Sequence, residues 1–209
     1  MIRWRRVEVS GGFLLTAAAL FWLESGGLLF WAALACALHE AGHVIAIRAM
    51  GGKIRALRLS VAGAELVFSS GHGLSYLQEI FAAVSGPAVN LALALVCARL
   101  IPESAGEGLY LFTGLNLALG GFQLLPVLPL DGGRALLALL EMLWQPAIAG
   151  RILEIFSLVC EGLLLGLGVM VFLRTGTNFT MLLIAFWLLA GTLRGGYFSL
   201  SSSNSRRSF

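Results

Sequence analysis

Residues 28–50 read LLFWAALACALHEAGHVIAIRAM, an apolar run interrupted in its middle by His39, Glu40 and His43. As one helix this stretch would be long enough to cross the roughly 30 Å hydrocarbon core of a bilayer. Residues four apart share a helix face, so the two imidazoles can reach a single ion. Carrying an acidic side chain into such a span costs on the order of 2.5–3.5 kcal/mol, which is a reason to look for its role. The plain alternative, a pair of core histidines satisfied by hydrogen bonds, leaves Glu40 without one. Neutral imidazoles bind zinc at about 2.0–2.1 Å, and an acid beside the first histidine then points toward the zinc-bound water. Glu40 is thereby placed as a general base that takes a proton from water and later gives it to the leaving amine of a hydrolysed amide.

Outward from this run the chain stays apolar. Of its 209 residues 58% are hydrophobic and 12% charged, against about a quarter charged in a soluble domain. Apolar segments recur at 11–23, 28–50, 76–101, 109–125, 152–173 and 179–193, most of them near the length of about 20 residues that a crossing helix needs. Six spans with a cytoplasmic N-terminus sort the positive side chains sharply. Arg3, Arg5, Arg6, Arg48, Lys53, Arg55, Arg58, Arg134, Arg151, Arg194, Arg206 and Arg207 fall inside, and only Arg99 and Arg174 fall outside, as the positive-inside rule requires. Residues 1–22 combine a basic head with an apolar run but lack a small-residue cleavage site, and are read as a retained first span.

The expected fold is an all-α polytopic membrane protein of about six transmembrane helices, with a short β-hairpin between the second and third spans. The hairpin is placed at 53–69, where Leu57, Leu59 and Val61 alternate with other residues, and is expected to bend near Gly63. Residues 1–198 are expected to form one membrane-embedded domain, and the Ser- and Arg-rich stretch 199–209 a disordered cytoplasmic tail. The net charge of +3 is small and dispersed, which argues against a nucleic-acid face. Cys36, Cys97 and Cys160 suggest no disulfide framework and are read as small buried hydrophobes. His72, in a Ser- and Gly-rich turn, is read as a solvated loop residue rather than a ligand.

Residues 120–133, GGFQLLPVLPLDGG, cannot form one continuous helix. Broken backbone at membrane depth is tolerated only where protein or a water-filled cavity satisfies it, which makes this stretch a candidate site wall. It ends on Asp131, the only aspartate in the chain. Catalytic zinc sites commonly use three protein ligands and a water, so a third ligand is needed beside His39 and His43. Asp131 taken alone would be an ordinary helix N-cap; beside a two-histidine site at membrane depth it becomes the candidate third ligand.

His39-Glu40-Ala41-Gly42-His43 in an early span, together with Leu124-Leu125-Pro126-Val127-Leu128-Pro129-Leu130-Asp131-Gly132-Gly133-Arg134 in a later one, resembles the paired signature of the site-2 protease family. The resemblance implies an intramembrane zinc metalloprotease acting in regulated intramembrane proteolysis, with one Zn2+ per chain. It would cut a peptide bond in or near a transmembrane segment of a membrane-bound substrate. It implies His39, His43 and Asp131 as ligands and Glu40 as the catalytic acid/base. Ser85-Gly86-Pro87-Ala88-Val89-Asn90 is similar to a further motif of the family; its glycine and proline could let helices approach or bend. Asn90 could donate across helices, and simple packing would explain the same residues.

Where the family usually carries an asparagine that helps hold the substrate backbone or the oxyanion, this chain has Gln123. The amide is kept on a longer stem, so the role could survive with shifted geometry. In size the chain is similar to the minimal bacterial core, including sporulation-type proteases. It lacks the appended domains of many relatives, so regulation by such a domain is expected to be absent or to come from a membrane partner or a homo-oligomer. A multi-pass protein of the bacterial cytoplasmic membrane is implied, both termini lying in the cytoplasm. Two readings stay open beside the protease: a metal-ion transporter using His39, Glu40, His43 and Asp131 as a transit site, and an inactive relative that binds membrane proteins without cutting them.

Overall fold

The computed structural model describes residues 2–4, 7–9, 27–52, 54–60, 63–68, 74–100, 106–177 and 179–193. Among these are six helices: α1 (Leu28–Ala49), α2 (Tyr76–Leu100), α3 (Glu107–Gln123), α4 (Asp131–Leu143), α5 (Pro146–Thr175) and α6 (Thr180–Leu193). Three of them, α1, α2 and α5, are long and apolar enough to cross a membrane. α3, with 17 residues, and α6, with 14, are shorter. Among the described residues three helices are therefore of sufficient length where six spans were expected, and the proposed first span at 11–23 lies outside the described residues.

Large apolar side chains point outward. Phe30, Ile45, Phe81, Leu95, Leu163, Leu173 and Phe186 are all exposed, while the buried faces carry small residues. This inverts the usual soluble pattern, in which large hydrophobes fill the core, and suits helices whose surroundings are themselves apolar. On α1 the buried stripe is Ala35, His39, Gly42, His43 and Ile47, and on α2 it is Ala82, Ala83, Gly86, Pro87, Asn90 and Ala94. Small residues let the backbones approach closely: a Cβ built on Gly42 would fall 2.9 Å from the Ser85 carbonyl oxygen. α2 is the centre of the arrangement, touching α1, α3 and α4, while α5 and α6 pack on each other and reach the rest through α4 and the 124–130 segment.

A four-stranded sheet of order β1-β2-β3-β4 completes the described structure. Its strands are β1 (Ile2–Trp4), β2 (Val7–Val9), β3 (Ile54–Ser60) and β4 (Gly63–Phe68). β3 and β4 pair antiparallel, with Ser60 opposite Gly63, and β2 runs parallel to β3 with Val7 opposite Leu57. A single hairpin therefore undercounts the strands. Residues 2–9, read as the basic head of a span, alternate apolar and charged in Ile2-Arg3-Trp4 and Val7-Glu8-Val9, the period of a strand. Arg3, Arg5 and Arg6 in the same stretch equally fit the positive-inside pattern of a span's flank. The tail 199–209 and His72 lie outside the described residues. The cysteines are free, but the reading of them as buried holds only in part: Cys36 is exposed, and Cys97 and Cys160 are half-buried, Cys160 against the cluster of Val127, Leu130 and Leu188.

Candidate metal centre

α1 and α2 cross at their small residues, and the crossing places His39 and His43 against Gly86. A Cβ on Gly86 would lie 2.3 Å from His43 Nε2 and 2.9 Å from His39 Nε2, so any larger residue there would displace the imidazoles. Asp131 arrives from the other side as the first residue of α4. Its side chain does not cap that helix, whose N-cap is Leu130; the N-cap reading is set aside in favour of a carboxylate turned into the site.

What turns it is the 124–130 segment. Val127 N–H donates to the Leu125 carbonyl and Leu130 N–H to the Val127 carbonyl, both at 2.8 Å, and Ser157 Oγ donates to the Pro126 carbonyl. The freed backbone groups at membrane depth are thus met by protein. Gly132 and Gly133 let α4 begin directly on this segment: a Cβ on Gly132 would sit 2.1 Å from the Leu124 carbonyl oxygen, and one on Gly133 2.5 Å from the Val127 carbonyl carbon. The Leu128–Pro129 peptide is cis.

Asp131 Oδ2 lies 2.9 Å from His39 Nε2 and 3.2 Å from His43 Nε2, and the two Nε2 atoms are 3.1 Å apart. All three residues are buried. Both histidines use their other nitrogen outward: His43 Nδ1 donates to the Ala82 carbonyl at 2.7 Å, and His39 Nδ1 donates to Asn90 Oδ1 at 2.5 Å. With Nδ1 protonated in each ring, both Nε2 atoms carry lone pairs. Two lone pairs and a carboxylate oxygen converging within about 3 Å repel one another unless protons or a cation sit among them. One divalent cation relieves all three contacts at once. The outward Nδ1–H bonds are the arrangement that metal-bound histidines almost always show. The donor set therefore fits a metal ion, and His39, His43 and Asp131 are a group able to hold one.

Glu40 is half-buried beside the cluster, within electrostatic reach of His43, His39, Asp131 and Arg134.

Asn90 is fully buried and does more than pack: besides accepting from His39 it donates Nδ2–H to the Ala35 carbonyl at 3.2 Å and to Asn116 Oδ1 at 2.7 Å. Asn116, also fully buried, is a member of this network that the sequence reading missed. Its signal was an amide in the middle of the apolar stretch 109–125, where a polar side chain is costly without a partner. Gln123 ends α3, and its Oε1 is buried with no hydrogen-bond partner among the described residues. It is not joined to the histidine–aspartate cluster. Gly63 stands in the sheet as the first residue of β4.

No family model matches the chain. It is 31% identical over 128 residues to a zinc metalloprotease of Methanocaldococcus jannaschii, across 59% of this chain and 36% of that protein. It is 33% identical over 112 residues to a protein of Synechocystis provisionally named a zinc metalloprotease, across 51% of this chain and 28% of the relative. The matched stretches thus span about a third of each relative's length. Among solved structures, the site-2 protease from Methanocaldococcus jannaschii superposes with a TM-score of 0.63 over 93% of both chains, at 22% identity. The chain thus shares the fold of that site-2 protease, and in sequence it is similar to parts of two proteins named as zinc metalloproteases.

Proposed function

We propose that this protein is an intramembrane zinc metalloendopeptidase that hydrolyses a peptide bond in or near a transmembrane segment of a membrane-bound protein, in regulated intramembrane proteolysis. The observation that carries the reading is the convergence of His39 Nε2, His43 Nε2 and Asp131 Oδ2 in a buried site beside Glu40. His39, His43 and Asp131 would hold one Zn2+, which when bound lowers the pKa of water and polarises a carbonyl. Glu40 takes the proton from the attacking water and delivers it to the leaving amine. Arg134, one turn into α4 from Asp131, keeps positive charge near Glu40. The Gln123 amide, at the end of α3, is the candidate donor to the substrate backbone or the developing oxyanion.

A helical substrate shields its amides until it unwinds. Among the described residues β4 pairs only with β3, and strand addition of an unwound peptide along its other edge is the proposed mode of substrate binding. Proline substitutions around Gly63 should abolish cleavage while zinc stays bound; cleavage that survives them would remove the strand-addition step. The chain is read as a multi-pass protein of the bacterial cytoplasmic membrane with both termini in the cytoplasm. Residues 1–198 form its membrane-embedded domain and 199–209 its tail, with lipid, a substrate and a regulatory partner or second copy around it.

The deciding experiment co-expresses wild type or Glu40→Gln with candidate membrane proteins and compares the fragments by mass spectrometry. A protease loses cleavage in Glu40→Gln, by about 10²–10⁴-fold for a missing general base, and keeps its zinc. Ion flux that persists in Glu40→Gln would favour the transporter. An absence of cleavage by zinc-loaded wild type would favour the inactive binder.

A further inference from the structure

Asn90 can show His39 either its oxygen or its NH2, and the two choices have opposite consequences. With Oδ1 toward the ring, His39 Nδ1 carries the proton and Nε2 is free to bind metal. With NH2 toward the ring, Nδ1 must accept, and the proton moves to Nε2, where it points at His43 and Asp131. The choice is made on the far side of the amide, where Asn90 Nδ2 has two acceptors, Asn116 Oδ1 at 2.7 Å and the Ala35 carbonyl at 3.2 Å. Asn116 could itself turn round, but its Nδ2 is held by the Phe112 carbonyl at 2.8 Å, one helical turn earlier in α3. A directed chain therefore runs from the Phe112 carbonyl through Asn116 and Asn90 to His39.

We propose that Asn116 is a positioning residue for the metal centre: by fixing which end of the Asn90 amide meets His39, it selects the His39 tautomer whose Nε2 can bind a metal ion. The inference rests on the reading of His39, His43 and Asp131 as a metal centre. It assigns to α3, a helix that supplies none of these ligands, control over one of them.

The test uses the purified full chain in detergent, titrated with Zn2+ and with Co2+, whose absorption spectrum reports ligand geometry. Asn116→Asp keeps an acceptor oxygen toward Asn90 and should hold metal affinity within a few-fold of wild type. Asn116→Leu and Asn116→Ala remove it and should weaken binding by about 10–100-fold, the usual effect of losing a partner outside the ligand set, with an altered cobalt spectrum. Two truncations are used so that one poorly folding variant does not decide the matter. The same truncations are then made in an Asn90→Asp background, where the group facing His39 accepts whichever way it turns. There they should cost no further affinity. An equal penalty in both backgrounds would mean that Asn116 only packs, and unchanged affinity in the truncations alone would also overturn the proposal. Wild type that binds neither ion overturns the metal centre itself, a distinct outcome.

Discussion

Two parts of this molecule bury an acidic side chain among apolar helices, and they do so differently. At the α1–α2–α4 junction, Asp131 Oδ2 meets two imidazoles within 3.2 Å, and each imidazole is held from behind by its own acceptor. Between α5 and α6, Glu161 is fully buried and accepts from Thr192 Oγ1 at 2.6 Å, while its Oε2 has no partner among the described residues. Glycines are close-packed in both regions but to different degrees: Gly86 and Gly132 have no room for a Cβ, and one on Gly168 would fall 3.0 Å from Leu182 of α6, whereas nothing lies within 4 Å of one built on the exposed Gly162 or Gly166. A buried charge in an apolar helix draws attention to a position; convergence of several ligand atoms, with their outer partners in place, marks a group able to hold a metal ion.

The largest expected effect sets the two acids against each other. Asp131→Asn should reduce bound zinc from one per chain to almost none and abolish cleavage, while Glu161→Gln leaves zinc content unchanged, as metal analysis of the purified variants would show. Loss of zinc in both would erase the distinction. Next comes Gly132→Ala, where the new methyl meets the Leu124 backbone; a loss of about 3 kcal/mol in stability to denaturant is expected, at the upper end for an overpacked core. Gly86→Ala meets imidazole rings, which can turn aside. It should lower zinc affinity about 10–100-fold by disturbing the ligands, whereas Gly162→Ala should be neutral or stabilise α5 by up to about 1 kcal/mol. The smallest effect is Glu161→Gln on thermal stability. Glutamine keeps an acceptor for Thr192, so a change within about 1 kcal/mol is expected, and a much larger loss would show that the Oε2 site has a partner of its own.

The cluster was legible because its residue types are scarce. One aspartate and three histidines in 209 residues leave few ways to assemble a site, and the four-residue spacing of His39 and His43 has a direct meaning on a helix. The glycines after Asp131 were visible as part of a motif, but their purpose, a backbone-on-backbone start of α4 against Leu124 and Val127, was not. Sequence alone does not separate a hydrogen bond from packing at Asn90, nor single out Asn116, because an amide's partners lie on other helices. The strands at residues 2–9 were hidden by a charge pattern that had a second reading.

Local chemistry and one-dimensional pattern were enough to determine the apolar class, the helical course of residues 28–49 and 76–100, and the two histidines on one face. Those properties depend on composition and on periodicity within a single segment. Only the tertiary structure decided that Asp131 turns inward rather than capping its helix, that Gly86 is the surface the imidazoles rest on, and that Asn116 stands behind Asn90. Each of these is a contact between segments far apart in the chain, set by how closely the helix backbones approach, and no period along the sequence encodes that distance.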